Sequence, residues 1–321
     1  MYYKDTKKVF IISLLKSKDY KTILKLLVKN DENKEATIEI WKYMISTIKK
    51  EYPDIMFVSE WNNPYQSLEA GFDCDFVLDR AHNFYNDLAR KEEFEPQVLS
   101  FLNSDSTLDI REDFKKTIQM IVDNQDKGYL SFITCNHDTM RPTAYLKGRE
   151  LKLFFFIVLT LPGVPFIYYG DEIGMRYQKD IPSKECGYAR TGSRTPMAWN
   201  MNENQGFSPI STVEPFLPID GKTSVEKEEQ EENSLLHFVR QMIEMRKNDE
   251  NLLGNHITYF ETNHPRLLAY YRNQDLIINP KKEAISLALH EEHELIWCDG
   301  EMEYDKMNIV IGAKTCCILR R

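Results

Sequence analysis

The sequence alternates amphipathic helices with short, almost continuous apolar runs that end in polar or charged residues. The strong runs cover residues 54–60, 129–136 and 164–169, and a weaker one covers 72–78. The helices predicted beside them cover 37–50, 113–122 and 150–161. An apolar run without alternation is typical of a strand buried on both faces of a parallel sheet. This pattern predicts an α/β fold of the β/α-barrel type.

The last third of the chain has a different pattern. Residues 179–230 are rich in Gly, Pro, Ser and charged side chains, which predicts a long functional loop or a linker. A helix is predicted over 234–247 from the spacing of its apolar residues. Short β-type runs separated by turns follow it, with the last one predicted over 309–319. They predict a small antiparallel β domain.

Composition and charge argue against several classes of protein. A net charge of −9 is unsuited to a nucleic-acid partner, which would need a basic surface. The six cysteines are scattered, without a CxxC pair or a Cys/His cluster, so we expect reduced thiols, no metal and no cofactor. We find no signal-peptide pattern, and the longest apolar run, 153–161, has nine residues where a membrane span needs about 20. We therefore expect a cytoplasmic protein without membrane contact.

Acidic residues follow the strong apolar runs. They are Glu60, Asp138 and the adjacent pair Asp171 and Glu172. In a β/α barrel the active site lies at the carboxyl ends of the strands. Retaining hydrolysis of a glycosidic bond uses one carboxyl group that donates and then accepts a proton, and a carboxylate nucleophile about 5–5.5 Å away. Carboxylates at one barrel mouth therefore suit a sugar, although any one of them alone is more often a helix cap or a solvated loop residue.

Several segments, in order along the chain, resemble the alpha-amylase family of glycoside hydrolases. They are residues 57–61 (FVSEW), 132–138 (FITCNHD), 162–175 and 194–199 (RTPMAW). The last is similar to a segment of the exo-acting α-glucosidase and trehalose synthase-like branch, with Ala198 in place of Gln. The resemblance runs from about Leu27 to the end. It implies the carboxyl-terminal half of a (β/α)8 barrel, strands 5–8, followed by a small antiparallel β domain.

The resemblance also implies roles for individual residues. Glu60 matches the family's acid/base, and Asp138 matches the aspartate that supports the distorted, oxocarbenium-like sugar ring. Asn136 and His137 match residues that hold the sugar in the −1 subsite. Glu172 is expected to be structural.

Three further residues are expected to bind substrate. The ring of Trp61 could stack on a sugar, and Arg141 and Arg194 could reach its hydroxyl groups. The alternative for both arginines is pairing with carboxylates, which is the commoner arrangement in barrel loops.

The family's nucleophile motif, Gly-x-Arg-x-Asp on the fourth strand, is absent from the sequence. Its aspartate would fall near Thr22 and its arginine near Tyr20. Only 56 residues precede Phe57, whereas four β/α units need about 125. We therefore expect a segment outside the family over 1–30, a partial barrel over 31–250 and a β-sandwich-like domain over 255–321.

These observations predict an amino-terminally truncated α-glycosidase domain. Its substrate would be an α-glucoside or maltooligosaccharide, from which α-glucosyl units are hydrolysed or transferred. Without the attacking carboxylate the covalent intermediate cannot form, so we expect little turnover by the chain alone. The alternative is a non-catalytic carbohydrate-binding scaffold or a subunit of a split enzyme. A partial barrel would also expose an open parallel edge that favours association.

Overall fold

The computed structural model describes residues 35–77, 83–179, 181, 191–209, 221–305 and 307–321. The chain divides into a smaller unit, residues 1–76 and 126–129, and a larger unit, residues 77–125 and 130–321. The segment 1–30, predicted to lie outside the family, is not among the described residues. Each unit is described by itself below.

Among its described residues, the smaller unit contains two helices and a pair of parallel strands. Its elements are helix α1 (Glu35–Glu51), strand β1 (Val58–Ser59), helix α2 (Pro64–Glu69) and strand β2 (Cys74–Val77), whose last residue belongs to the larger unit. Parallel pairing joins Val58 to Cys74 and Ser59 to Asp75, in agreement with the predicted sheet type. The prediction that this strand is buried on both faces is wrong, however, because Val58 is 40% exposed while Ser59 is buried.

Helix α1 packs its apolar side chains against the loop before β2. Ile45 is 2% exposed and belongs to a cluster with Ala70 and Phe72. The ring of Trp41 lies 5.0 Å from that of Phe72. Glu35 in the first turn of the helix and lysines in the last turn have the charges that a helix dipole favours. This packing orients β1 and β2.

The larger unit contains a helical layer and two antiparallel sheets. Its helices are α3 (Phe84–Ala89), α4 (Lys91–Phe94), α5 (Arg111–Asn124), α6 (Arg149–Thr160), α7 (Val225–Gln230), α8 (Leu235–Asn248) and α9 (Glu250–Leu253). Strand β3 (Tyr129–Phe132) enters this unit from the smaller one. The chain over 164–168 runs parallel to the continuation of β3, with backbone bonds that include Phe166 N to Phe132 O and Thr134 N to Phe166 O. The predicted strand 164–169 is thus reduced to one parallel bridge, between Ile133 and Phe166.

Helix α6 is buried on every side. Each side chain from Leu153 to Leu161 is at most 1% exposed. Since the chain leaves the helix in the protein interior, the last carbonyl groups need donors other than water. Arg246 of α8 supplies them, because its guanidinium donates to the carbonyls of Leu159 (2.7 Å), Leu161 (2.9 Å) and Gly163 (2.6 Å).

A second buried arginine bonds the same end of α6. Arg272 is fully buried and donates to the carbonyl oxygen of Thr160 at 2.6 Å and to that of Gly254 at 2.5 Å. Burial lowers the pKa of Arg272 to about 10, so the side chain remains a cation at neutral pH. The two arginines connect α6 to α8 and to the carboxyl-terminal strands.

The carboxyl-terminal strands form two sheets in which the paired strands run antiparallel, as the sequence predicts. The strands are β4 (Thr258–Tyr259), β5 (Leu268–Tyr271), β6 (Asp275–Asn279), β7 (Ile285–Ala288), β8 (Glu294–Asp299), β9 (Met302–Tyr304), β10 (Asn308–Ile311) and β11 (Thr315–Arg320). Their orders are β4-β5-β6-β11-β8 and β7-β10-β9. A shared core that includes Ile277, Ile309 and Leu319 joins the two sheets.

Strand β11 is buried over its first five residues. It lies between β6 and β8, and its adjacent residues Cys316 and Cys317 are both 0% exposed. Adjacent side chains on a strand point to opposite faces, so each face of this sheet holds one of the thiols. Cys317 belongs to the core shared with the second sheet, and the ring of Trp297 on β8 stacks on Phe156 of α6 at 5.7 Å. The sheet is therefore covered on both faces.

We predict that Gly163→Ala destabilises the protein far more than Gly174→Ala. Both glycines have positive φ, +98° and +65°, which costs a residue with a Cβ about 1–2 kcal/mol. A Cβ at Gly163 would also lie 1.9 Å from the carbonyl oxygen of Leu130, whereas the nearest atom at Gly174 is 3.6 Å away. Urea unfolding should give a loss of about 3 kcal/mol or more for Gly163→Ala and about 1 kcal/mol for Gly174→Ala. Equal losses would show that the contact with Leu130 is unimportant.

Candidate active site

Glu60 directly follows β1 and its side chain is exposed. The next residue, Trp61, is partly buried, and its ring meets Phe72 edge-on at a centroid distance of 6.3 Å. The two residues therefore differ in setting. Glu60 is open to solvent. The ring of Trp61, which we predicted to stack on a sugar, instead has one edge packed in the core of the smaller unit.

A buried carboxylate that sequence reasoning missed binds the loop around Glu60. Asp75 on β2 is 0% exposed. Its Oδ1 accepts hydrogen bonds from Ser59 Oγ at 2.5 Å and from the backbone N–H of Trp61 at 3.0 Å. Its Oδ2 accepts a bond from the backbone N–H of Asn63 at 3.0 Å. The one clue in the sequence is an acidic residue in the middle of an otherwise apolar strand.

Residues 136–138 follow β3 in the larger unit and form a tight turn. Asn136 is partly buried, and its Oδ1 accepts a bond from the backbone N–H of Asp138 at 2.8 Å. The backbone N–H of Asn136 donates to Thr139 Oγ1 at 3.1 Å. His137 and Asp138 are exposed, with His137 Nε2 3.5 Å from Asp138 Oδ1. The turn presents a histidine and a carboxylate together at the surface.

Arg194 binds both exposed residues of this turn. Its Nε donates to the carbonyl oxygen of His137 at 2.8 Å, and a terminal nitrogen donates to Asp138 Oδ1 at 2.9 Å. The structure thus brings together four of the predicted site residues: Asn136, His137, Asp138 and Arg194. Contact of any of them with a sugar remains a prediction.

Arg141 has a different setting from Arg194. Its side chain is 0% exposed and forms an ion pair with Asp171 at 2.8 Å. It also donates to the carbonyl oxygens of Tyr169 at 2.7 Å and Ser193 at 3.1 Å. In this arrangement the guanidinium binds protein groups, which corresponds to the alternative of pairing with a carboxylate. The predicted contact of Arg141 with substrate gains no support from it.

Asp171 is the partner of Arg141 and is itself fully buried. Thr134 Oγ1 donates to its Oδ2 at 2.7 Å. Burial raises the pKa of Asp171, while the charge of Arg141 and the hydrogen bonds from Thr134 and Arg141 oppose that rise. Burial also raises the pKa of the neighbouring Glu172, and the charge of Asp171 adds to the effect. Asp171, Arg141 and Thr134 thus form an internal polar network, in which Asp171 is only 2% exposed.

Neither a metal-binding group nor a membrane-spanning helix is found among the residues that the structure describes. No cluster of three or more His, Cys, Asp or Glu side chains within them could hold a metal ion. No helix within them is both long and apolar enough to cross a bilayer. The predicted cytoplasmic location stays a prediction.

Curated relatives of this chain are named as an alpha-amylase, a trehalose synthase and an oligo-1,6-glucosidase. Alpha-amylase 3 of Dictyoglomus thermophilum is 28% identical over 249 residues, which cover 76% of this chain and 45% of the relative. The trehalose synthase of Pimelobacter sp. is 30% identical over 173 residues, 49% of this chain and 29% of the relative. A probable oligo-1,6-glucosidase of Bacillus subtilis is 25% identical over 197 residues, 51% and 34% respectively. The chain thus spans less than half the length of each of these relatives.

Solved structures show the same fold. The alpha-amylase of H. orenii matches with a TM-score of 0.69 at 23% identity, over 88% of this chain and 57% of that one. An isomaltulose synthase mutant of Erwinia rhapontici NX5 matches with a TM-score of 0.70 at 16% identity, over 90% and 59%. These likenesses show a β/α fold with a carboxyl-terminal β domain.

The family model of the alpha-amylase catalytic domain matches residues 17–255. The chain therefore belongs to the alpha-amylase family of glycoside hydrolases, and the predicted resemblance is confirmed. The match begins inside the segment 1–30 that we expected to lie outside the family.

We predict that Arg141→Met destabilises the larger unit by about 3–5 kcal/mol at pH 8, because it leaves Asp171 as an unpaired buried charge. The loss should shrink at pH 5. Without Arg141, burial raises the pKa of Asp171 with less opposition. The folded variant then binds a proton that the unfolded chain, with a pKa of about 3.9, does not, so its stability falls as the pH rises above that value.

Urea unfolding at both pH values measures these differences, with Arg111→Met as the control. Arg111 pairs with Asp109 at the surface, where an ion pair contributes about 0–1 kcal/mol. The double variant Arg141→Met, Asp171→Asn should recover part of the lost stability at pH 8. A loss for Arg141→Met that does not depend on pH would contradict the assignment of the buried charge to Asp171.

Proposed function

We propose that this chain carries the acid/base and sugar-binding part of a retaining α-glucosyl site. Glu60 would protonate the leaving oxygen, and Asp138 would stabilise the sugar ring in the transition state. His137, Asn136 and Arg194 would hold the sugar hydroxyls. The observation that carries the proposal is a family match spanning two exposed carboxylates, each of which follows a strand closely.

The surroundings of Asp138 support a polar, hydroxylated ligand. Its side chain is 33% exposed and is paired with Arg194, which is 27% exposed. Both side chains of the pair therefore keep part of their surface in contact with solvent. Sugar hydroxyls both donate and accept hydrogen bonds, so they can replace water at such a pair.

We also propose that the strands of the described β/α region correspond to strands 5–8 of a (β/α)8 barrel. The parallel pairing of β1 with β2 and the parallel bridge from Ile133 to Phe166 support this. The sequence contains no Gly-x-Arg-x-Asp motif to supply a nucleophile. A carboxyl group that transfers protons cannot replace the attacking carboxylate, because retention needs both. We therefore propose that these 321 residues alone do not hydrolyse α-glucosides.

Calorimetric titration with maltose tests the sugar-binding part of the proposal. We expect binding by the wild-type chain and at least a tenfold weaker affinity for Asp138→Ala, equivalent to about 1.4 kcal/mol. Asp113→Ala is the matched control, since Asp113 is an acid on α5 that pairs with Lys116 and belongs to neither half of the site. Equal affinities for the two variants, or no binding by the wild-type chain, would refute this part.

Glucose release from maltose tests the inactivity part. We expect the wild-type chain to release no more glucose than buffer. Turnover that disappears in Glu60→Gln would show that the chain supplies its own nucleophile.

A subunit of a split enzyme is the second candidate, and β1 favours it. Val58 is 40% exposed and Met56 is 49% exposed, so apolar side chains at and before this strand face solvent in the described structure. Exposed apolar surface of this kind is characteristic of an interface. Addition of a separately expressed amino-terminal half of a related barrel should then restore hydrolysis of maltose. No restoration, with sugar binding intact, would leave the binding scaffold as the function.

A further inference from the structure

Asp75 binds the chain on both sides of Glu60. The parallel register places Asp75 opposite Ser59, so their side chains lie on the same face of the strand pair. Ser59, directly before Glu60, donates its hydroxyl to Asp75, and Trp61, directly after Glu60, donates its backbone N–H. Asn63 adds a second backbone N–H two residues later. Glu60 is therefore the exposed residue between anchored neighbours.

A fully buried carboxylate holds a loop only at a large cost in desolvation free energy. Removal of a carboxylate from water costs several kcal/mol unless hydrogen bonds to the charge compensate for it. Three donors point at Asp75, and two of them are backbone groups whose positions fix the course of the chain. Hydrogen bonds to a charged acceptor are roughly twice as strong as neutral ones. The arrangement favours one conformation of the loop strongly.

The loop that Asp75 holds contains a sharp turn. Asn62, between the two anchored amides, has φ of +58°, in the left-handed region that asparagine adopts more readily than most residues other than glycine. The chain turns there and enters α2 at Pro64. Without the two hydrogen bonds to Asp75, this turn would lose the groups that oppose its relaxation.

Asp73 shows what an ordinary anchor in the same strand region looks like. Its Oδ2 accepts a bond from the backbone N–H of Phe57 at 2.7 Å, and Lys49 pairs with its Oδ1 at 2.5 Å. Its side chain is 32% exposed, and it binds the chain before β1. Asp73 thus holds the start of the strand, whereas the buried Asp75 holds the residues on either side of Glu60.

We infer that Asp75 is a positioning residue that fixes the side chain of Glu60 for proton transfer, an inference that rests on the acid/base role proposed for Glu60. Asp75 does not contact the substrate. Its effect is on geometry, since a displacement of about 1 Å in a reacting group can reduce a rate about 100-fold. Loss of Asp75 should therefore slow the chemistry of Glu60 more than it weakens sugar binding.

Labelling with an epoxypropyl α-glucoside tests the inference without any need for the nucleophile. A carboxylate oxygen of Glu60 attacks the terminal carbon of the epoxide, the ring C–O bond breaks, and the released alkoxide takes a proton from water. The product is an ester on Glu60, which peptide mass spectrometry detects. The dependence of the labelling rate on reagent concentration separates the maximal rate from the half-saturating concentration.

We expect maltose-sensitive labelling of Glu60 in the wild-type chain. In Asp75→Asn the maximal rate should fall at least tenfold while the half-saturating concentration changes less than twofold. Asp73→Asn should match the wild type in both, and urea unfolding should show that each variant compared is folded under the labelling conditions. Labelling of Asp75→Asn at the wild-type maximal rate would overturn the inference, whereas no labelling of the wild-type chain would overturn the proposed role of Glu60.

Hydrogen exchange distinguishes a failure of the anchoring by Asp75 from a failure of the role proposed for Glu60. The amides of Trp61 and Asn63 should exchange at least tenfold faster in Asp75→Asn than in Asp73→Asn, whether or not the chain binds a sugar. Unchanged exchange would overturn the anchoring by Asp75. If Asp75→Asn fails to fold, Ser59→Ala removes one of the three donors and should reduce the maximal labelling rate by about threefold; an unchanged rate would overturn the inference.

Discussion

The larger unit depends on donors for the buried end of α6. A helix that is buried on every side gains a large amount of apolar burial, but its last carbonyl groups are cut off from water. A buried carbonyl without a partner costs about 1–3 kcal/mol. Arg246 and Arg272 donate to the helix carbonyls of Leu159 and Thr160 and to two carbonyls just beyond the helix, and each arginine comes from a part of the chain that lies far from α6 in sequence. The central helix and the carboxyl-terminal strands are therefore stabilised together.

In the candidate site, too, buried polar side chains hold other parts of the chain in place. The residues to which we assign chemistry, Glu60 and Asp138, are exposed, and a residue of the same unit binds the chain beside Glu60 or the side chain of Asp138 itself. Asp75 holds the backbone beside Glu60, and Arg194 pairs directly with Asp138. The ion pair of Arg141 and Asp171 fixes the chain behind the turn of residues 136–138. The exposed residues to which we assign chemistry thus depend on partly or fully buried residues that support them.

The sequence predicts the four longest described helices to within a few residues, because their apolar side chains repeat with a helical period. It does not predict the five short helices of four to six residues, one of which, α7, lies in the stretch predicted to be a loop or linker. It predicts the strands less well. The run over 164–169 forms a single bridge, and the run over 309–319 is two strands separated by a turn in which Lys314 has φ of +48°. Strand length depends on which neighbouring backbone is available to pair, and no local pattern records that.

The roles of side chains are likewise only partly predictable from the sequence. Motifs identify Glu60 and Asp138 because their place after a strand can be read along the chain. Asp75, by contrast, acts through bonds to residues 12 to 16 positions earlier, and only the register of two strands makes these contacts evident. Arg141 and Arg194 are the same residue type in similar loops, yet one is buried and the other partly exposed. Composition and spacing do not predict which of the two arginines is buried.

The two neighbouring thiols of β11 have a consequence for how the protein responds to oxidants. Burial raises the pKa of both Cys316 and Cys317, and burial also raises that of Cys135 to about 12. Since the thiolate is the form that reacts with oxidants and disulfides, these three sulfurs are inert while the surrounding structure is closed. They become reactive only in molecules that have opened. Oxidative damage at these positions would therefore follow unfolding and would trap chains that had already lost their structure.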